Sequence, residues 1–379
     1  MATPRRIVAV CFTYILGCGS GGGGGGDGTS GGADGGGGGP GSDGGSIPID
    51  DLESPTGCDG PFNPSQVLEY HITTGGDFPG LENDDYMAGT FACGDEEPMR
   101  VGIKTRHNSE GWMVDVNWAV KGQNFRTLNK VSFHTGEAGD VTEEYLSWRV
   151  QRLAGARFIQ RSALAHVWVD GQDKGILFNL EQIDKRFLRS RVGDDSGWLY
   201  KKSGIDDGYR TNETMPNPYE ADWCFFAESQ PCDPPADLET WLPDHLALDQ
   251  MLTWGAANVM IGNSDGPLSK PHNFYSYDYD GGPRYYWPWD LDSTQQGIDP
   301  FDGPGDSVYE SVLFPTFHDH YADLIAALLE GPLAVAAVND EIDLAVATGD
   351  GAVNSGAAGS FKSFYRDQHA AVSSQVGAR

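Results

Sequence analysis

Polar and apolar positions divide the chain into three regimes. An uncharged apolar run, Ile7–Leu16, is followed by a stretch nearly devoid of hydrophobic side chains up to Ser46, and element-forming periodicity begins only after it. From Val67 onward the pattern is one of short alternating segments. Val67–Thr73, Tyr86–Phe91 and Met99–Thr105 predict strands, Trp112–Trp118 alternates as a half-buried strand does, and Thr127–Phe133 adds another. The period then changes. Asp140 and Glu143 stand as N-cap and N3 acid, Leu146, Val150 and Leu153 fall at i, i+4 and i+7, and Gly155 ends the series, which predicts a helix over Val141–Ala154. Leu164–Val169 and Ile176–Leu180 return to strand character, joined through Asp170-Gly171 and Lys174-Gly175 as a hairpin.

Residues 206–240, rich in Pro, Asp and Asn, predict a surface insertion. Between Leu242 and Ile261, the residues Leu248, Met251, Leu252, Gly255 and Val259 share one helical face. Gly262 stops that helix and delivers Asn263-Ser264-Asp265-Gly266 as a loop. Phe274–Tyr279 and Arg284–Trp289 predict a second hairpin through Asp280-Gly281-Gly282, and the chain from about 320 is Ala-rich and helical. Strands, one helix, a helix–loop–hairpin and terminal helices make an α+β order, with mixed or antiparallel sheets, a helical C-terminal part and no βαβ run.

The first regime has its own chemistry. Arg5 and Arg6 precede ten apolar residues, the charged start and apolar middle of an export signal, and ten residues are too few to cross a hydrocarbon core of roughly 30 Å. The run ends Ile15-Leu16-Gly17-Cys18, which resembles the bacterial lipobox. Residues 1–17 are therefore expected to be a lipoprotein signal peptide, with Cys18 lipidated and the mature protein held outside the cytoplasm, at the periplasm or cell surface. Nineteen of the 52 glycines lie between Gly17 and Ser46, so residues 18–55 read as a flexible tether. No P-loop pattern is present in it. The folded body is expected over 56–379. Cys58, Cys93, Cys224 and Cys232 form an even set in an oxidising context, and nearness in sequence favours Cys58–Cys93 and Cys224–Cys232.

Charge narrows the partners. With 55 acidic against 25 basic side chains the formal net charge is −30, which excludes a broad nucleic-acid-binding face. In such a chain the few clustered cations matter. Lys104 and Arg106 share one face of their strand, with Lys130 nearby in sequence pattern. Asp290 and Asp292, two apart on an expected extended segment, project to one face, and Asp265 and Asn273 bracket a loop that can fold toward them. Asp and Asn oxygens are what Mg²⁺ prefers. An acidic turn in an acidic protein and a solvated strand face remain the alternative readings of these two clusters. Asp278-Tyr279-Asp280-Gly281-Gly282 also admits a calcium-binding module besides a simple turn.

Taken in order, several segments resemble the CotH kinase-like family, named for a spore-coat protein. They are Val101–Ser109, Asn129–Phe133, Glu143-Glu144-Tyr145-Leu146-Ser147, Glu181-Gln182-Ile183-Asp184, Gly197–Lys201, Asp265 with His272, Asn273 and Tyr275, and Trp289–Asp292. Arg106-His107 stand where the family pattern has Lys-Gly, and Glu110 where it has Ser. The resemblance implies an atypical protein-kinase fold that uses ATP with Mg²⁺ or Mn²⁺ to phosphorylate Ser or Thr of surface or coat proteins. It implies that Asp265 is the catalytic aspartate and that Asn273 and Asp290 hold the metal, with Asp292 supporting or sharing that role. Lys104, Arg106 or Lys130 would meet the phosphates, with Glu144 orienting one of them. Glu181 and Lys201 would lie near the nucleotide, and Trp287 or Trp289 would stack on adenine. The alternative is a non-catalytic surface or coat protein with a structural or adhesive role.

Overall fold

The computed structural model describes residues 51–75, 86–106, 111–136, 139–155, 158–202, 217–218, 235–266, 273–301 and 313–378. All belong to one compact unit, Ile47–Arg379. Cys18, Cys224, Cys232 and His272 lie outside the described residues.

The alternating segments become a barrel. Strands β1 (Leu68–Thr74), β2 (Met87–Cys93), β3 (Met99–Thr105), β4 (Gly111–Asp115) and β5 (Lys130–His134) pair antiparallel in sequence order. The hairpin β6 (Ser162–Val169) and β7 (Gln172–Leu180) joins with β7 beside β5 and β6 beside β1, closing the order β1-β2-β3-β4-β5-β7-β6. The closing pair, β1 with β6, runs parallel, with Leu68 opposite Ala165. Period 2 explains the core. Val101, Ile103, Val114, Val131 and Phe133 point inward and pack with Tyr70, Ile72, Phe91 and Val167. Cys58 and Cys93 form a disulfide that ties the segment before β1 to the end of β2.

Two expected elements end early. The alternation over Trp112–Trp118 stops at Asp115, whose carboxylate accepts from the Asn117 amide and caps a one-turn helix, α1 (Val116–Ala119). The single helix expected between Leu242 and Ile261 is two, α4 (Leu238–His245) and α5 (Leu248–Ile261). Between them Arg284 donates its amide to His245 O at 2.7 Å and accepts from the Ala247 amide at 2.9 Å. Backbone pairing with the later hairpin thus interrupts the helical ladder. The first hairpin turns at Asp170-Gly171 alone, both residues left-handed (φ 51° and 73°), and Lys174-Gly175 lies inside β7. Such a two-residue turn matches the twist of its strands.

Helix α2 (Thr142–Gly155) packs against α5 and forms, with α6 (Phe314–Glu330), α7 (Val335–Thr348) and α8 (Ser355–Gly377), a second apolar core. To this core belongs a three-stranded sheet, β10 (Tyr285–Pro288), β9 (Phe274–Asp278) and β8 (Trp198–Lys202). The architecture is α+β, as expected. The parallel β1–β6 closure makes the barrel mixed.

Candidate functional site

The outward face of three adjacent strands carries the first half of the site. Because side chains alternate, Lys104 on β3, Met113 on β4 and Ser132 on β5 stand in register, as do Thr105, Trp112 and Phe133 on the opposite face. One step further along, Arg106 donates its amide to Gly111 O at 3.0 Å, and Gly111 pairs with His134. Gly111 has φ 125°, and a Cβ there would lie 1.9 Å from the Phe133 carbonyl oxygen, so glycine is required for the strands to close at this point.

Together with the β7–α3 connection and the small sheet, this face lines a cleft of about 1000 Å³. The helix α3 (Lys185–Val192) is capped by Asp184, whose side chain accepts from the Phe187 amide at 3.0 Å. Lys104, Arg106, Lys130 and Lys201 all line the cleft, with Gln182, Asp184, Tyr275 and Trp289. Trp289 is the floor on which two of the cations rest: Lys201 Nζ lies 4.3 Å from its ring centroid and the Arg106 guanidinium 5.5 Å. Lys104 lies over Tyr86, and Lys130 stands 3.9 Å from the Asp115 carboxylate.

Behind the cations is a buried polar chain. Arg106 Nη1 donates to Ser132 Oγ at 2.9 Å, and Ser132 Oγ lies 3.2 Å from His134 Nε2. His134 Nδ1 faces Glu144 Oε1 on α2 at 3.9 Å, and that oxygen accepts from Trp148 Nε1 at 3.3 Å. Burial, and then the positive charges of Arg106 and Lys201, hold the His134 imidazole well below its ordinary range, so it is neutral. Burial, and then the Asp290 carboxylate, push Glu144 up to about 8. Glu144 thus meets an imidazole and an indole, and not the lysines of the strand face.

The second half of the site is the loop after α5. Gly262 has φ 64°, and a Cβ there would lie 2.2 Å from Gln296 O. Ser264, Gln295 and Gln296 then exchange backbone bonds across the two segments, stitching 261–264 to 293–296. Asp265, half-buried, accepts from Asn273 Nδ2 at 3.1 Å, and Asn273 O accepts from the Trp289 amide at 3.0 Å. The loop carboxylate is thereby tied to the cleft floor. Asn273 is buried, adopts φ 55°, and its Oδ1 has no hydrogen-bond partner among the described residues. An orphaned buried amide oxygen beside a carboxylate is costly unless something electropositive meets it. That donor set fits a hard cation such as Mg²⁺. Among the described residues no three His, Cys, Asp or Glu side chains gather as a metal group, so most of such an ion's shell would come from elsewhere.

Other expected site residues are placed differently. Asp290 is exposed at φ 57°, so the segment is not extended there and the premise that put Asp290 and Asp292 on one face fails. Asp292 lines a separate cavity of about 180 Å³ with Asp140, Glu143 and Glu144. Glu181 does not line the large cleft. It is buried among Arg161 (2.6 Å), Arg191 (2.7 Å) and Arg186 (2.9 Å), whose charges outweigh its burial and hold its carboxyl well below the usual range. Trp287 is wholly buried, edge-on to Phe187, and Trp289 takes the cleft position instead. Asp278 in the acidic hairpin bonds Asn217 and faces Arg284, a structural use of the turn.

Barrel, small sheet and helical core thus define an α+β protein with a cleft lined by several cations. The family model described as CotH kinase protein matches residues 141–354, more than half of the chain, and the chain belongs to that family. The matched span contains Glu144, Lys201, Asp265, Asn273 and Trp289, while Lys104, Arg106 and Lys130 precede it. No curated protein matches the chain.

Proposed function

We propose that the chain is an ATP- and Mg²⁺-dependent protein kinase that phosphorylates Ser or Thr of surface or coat proteins. One observation carries the reading: five cations line one nucleotide-sized cleft in a chain of net charge −30, beside an aspartate whose asparagine partner has an orphaned oxygen. Phosphoryl transfer asks the protein mainly for positioning and charge neutralisation. Lys104, Arg106, Lys130, Lys185 and Lys201 offer positive charge to the phosphates. Asn273 and Asp265 are the residues that would hold Mg²⁺, which when bound neutralises phosphate oxygens. Asp265 would accept the acceptor hydroxyl's proton.

The N-terminal Cys18 and its Gly-rich tether support attachment to a membrane outside the cytoplasm. One observation favours a second, non-catalytic reading: Glu144 on α2 pairs with none of the strand lysines. Incubating the full chain with labelled ATP, Mg²⁺ or Mn²⁺ and a generic protein acceptor separates the two. Label transfer by wild type that Asp265→Ala and Asp290→Ala reduce at least a hundredfold is the expected result. No transfer with either metal, and nucleotide binding equal to that of the variants, would sink the kinase reading.

A further inference from the structure

Two buried side chains of β5, Ser132 and His134, form a line that ends on one cation of the cleft. Arg106 donates one N–H to Ser132 Oγ (2.9 Å), which leaves the Ser132 hydroxyl hydrogen available to His134 Nε2 (3.2 Å). A His134 that accepts at Nε2 carries its hydrogen on Nδ1, the atom facing Glu144 Oε1 (3.9 Å). Trp148 Nε1 fixes that oxygen from the next turn of α2. Ser132, His134 and Glu144 are all buried, and His134 is further clamped by Phe178, its ring stacked at 4.8 Å. Among the described residues Lys104 and Lys130 have nothing comparable: one lies over a tyrosine and the other stands opposite a carboxylate.

We infer that Ser132 and His134 are positioning residues, which orient the Arg106 guanidinium from β5 and make Arg106 a cation held ready for nucleotide phosphate. The directional bond to Ser132 Oγ fixes the guanidinium plane in a way that a contact with an aromatic face does not. The inference rests on the reading of the cleft as a nucleotide site.

The test is calorimetric titration of the full chain with ATP and Mg²⁺, using Ser132→Ala, Ser132→Thr, His134→Phe, Arg106→Met and the double variant Ser132→Ala/Arg106→Met. His134→Phe keeps an aromatic ring against Phe178 and removes the nitrogens, at the cost of a larger ring. Ser132→Ala and His134→Phe are expected to weaken ATP binding about tenfold while leaving the unfolding temperature nearly unchanged. Ser132→Thr, which restores the hydroxyl, is expected to recover most of the loss, and Ser132→Ala is expected to add nothing once Arg106 is Met. Binding by Ser132→Ala within twofold of wild type, or losses that add in the double variant, would overturn the positioning role while leaving the nucleotide reading standing. Failure of wild type to bind ATP would remove both.

Discussion

Glu181 shows how much a single buried carboxylate can hold. Three guanidiniums surround it, and Arg161 and Arg191 are themselves buried. Removing the charge leaves cations in low dielectric without compensation, a loss of about 3–5 kcal/mol for a broken buried pair. Glu181→Gln is therefore expected to lower the denaturant midpoint steeply, and an unchanged midpoint would contradict the cluster's role. Because the folded-state pKa of Glu181 is depressed, its stabilisation is present above the ordinary carboxylate pKa and is lost as pH falls through the folded value. Glu144 behaves in the opposite sense. With its pKa raised to about 8, the folded state binds a proton that the unfolded state releases above about 4.5, so its contribution to stability declines as pH rises between those values. In metal-free buffer, Glu144→Gln is expected to flatten the fall in unfolding temperature from pH 5 to 8. A slope identical to wild type would show that Glu144 is not the titrating group.

Local pattern carried the residue-scale picture only partway. Same-face placement of Lys104 and Arg106 follows from period 2, and both reach the cleft. The same alternation over Lys130-Val131-Ser132-Phe133-His134 points Ser132 and His134 outward beside them, a signal present in the sequence but indistinguishable from a solvated face until α2 covers it. Glu181 was misplaced for a physical reason. Its arginine partners lie 20 residues before it and 5 and 10 after it, a convergence that no spacing rule for helix or strand encodes.

Elements joined by local hydrogen bonds were the most legible: the hairpin at Asp170-Gly171, helix α2 and the left-handed stop at Gly262 all follow from turn and cap chemistry. The stop has a second duty, since the close approach of Gln296 O depends on the missing Cβ and sets the loop that carries Asp265. Gly262→Ala is expected to destabilise the protein by more than about 1 kcal/mol through its positive φ and to reduce phosphoryl transfer. Full activity with unchanged stability would show that the stitching of 261–264 to 293–296 does not place Asp265. The split of α4 from α5 was not legible, because the bonds that break the helix come from Arg284, far along the chain.

At the scale of the whole molecule, the excess of acidic side chains acts on stability and on the cleft together. A net charge of −30 repels itself in the compact state, so raising ionic strength from about 0.05 to 0.5 M is expected to raise the unfolding temperature by screening. A fall in that temperature would mean that attractive pairs such as Arg149–Glu341 and Arg152–Glu53 outweigh the repulsion. The disulfide Cys58–Cys93 contributes at this scale too, by closing a loop with a sequence separation of 35 residues; Cys58→Ser is expected to cost about 2–4 kcal/mol, read from chemical denaturation.

The parallel pairing of β1 with β6 also sets an order of events in time. The bonds of Leu68–Ile72 to Ala165–Val169 can form only after nearly a hundred further residues have emerged, so a chain made N-terminus first must wait with its first strand half satisfied. Pairing of β1 with β2, pinned by Cys58 and Cys93, is the part available early. The barrel can shut only when the Asp170-Gly171 turn brings β7, its last strand in the chain, beside β5.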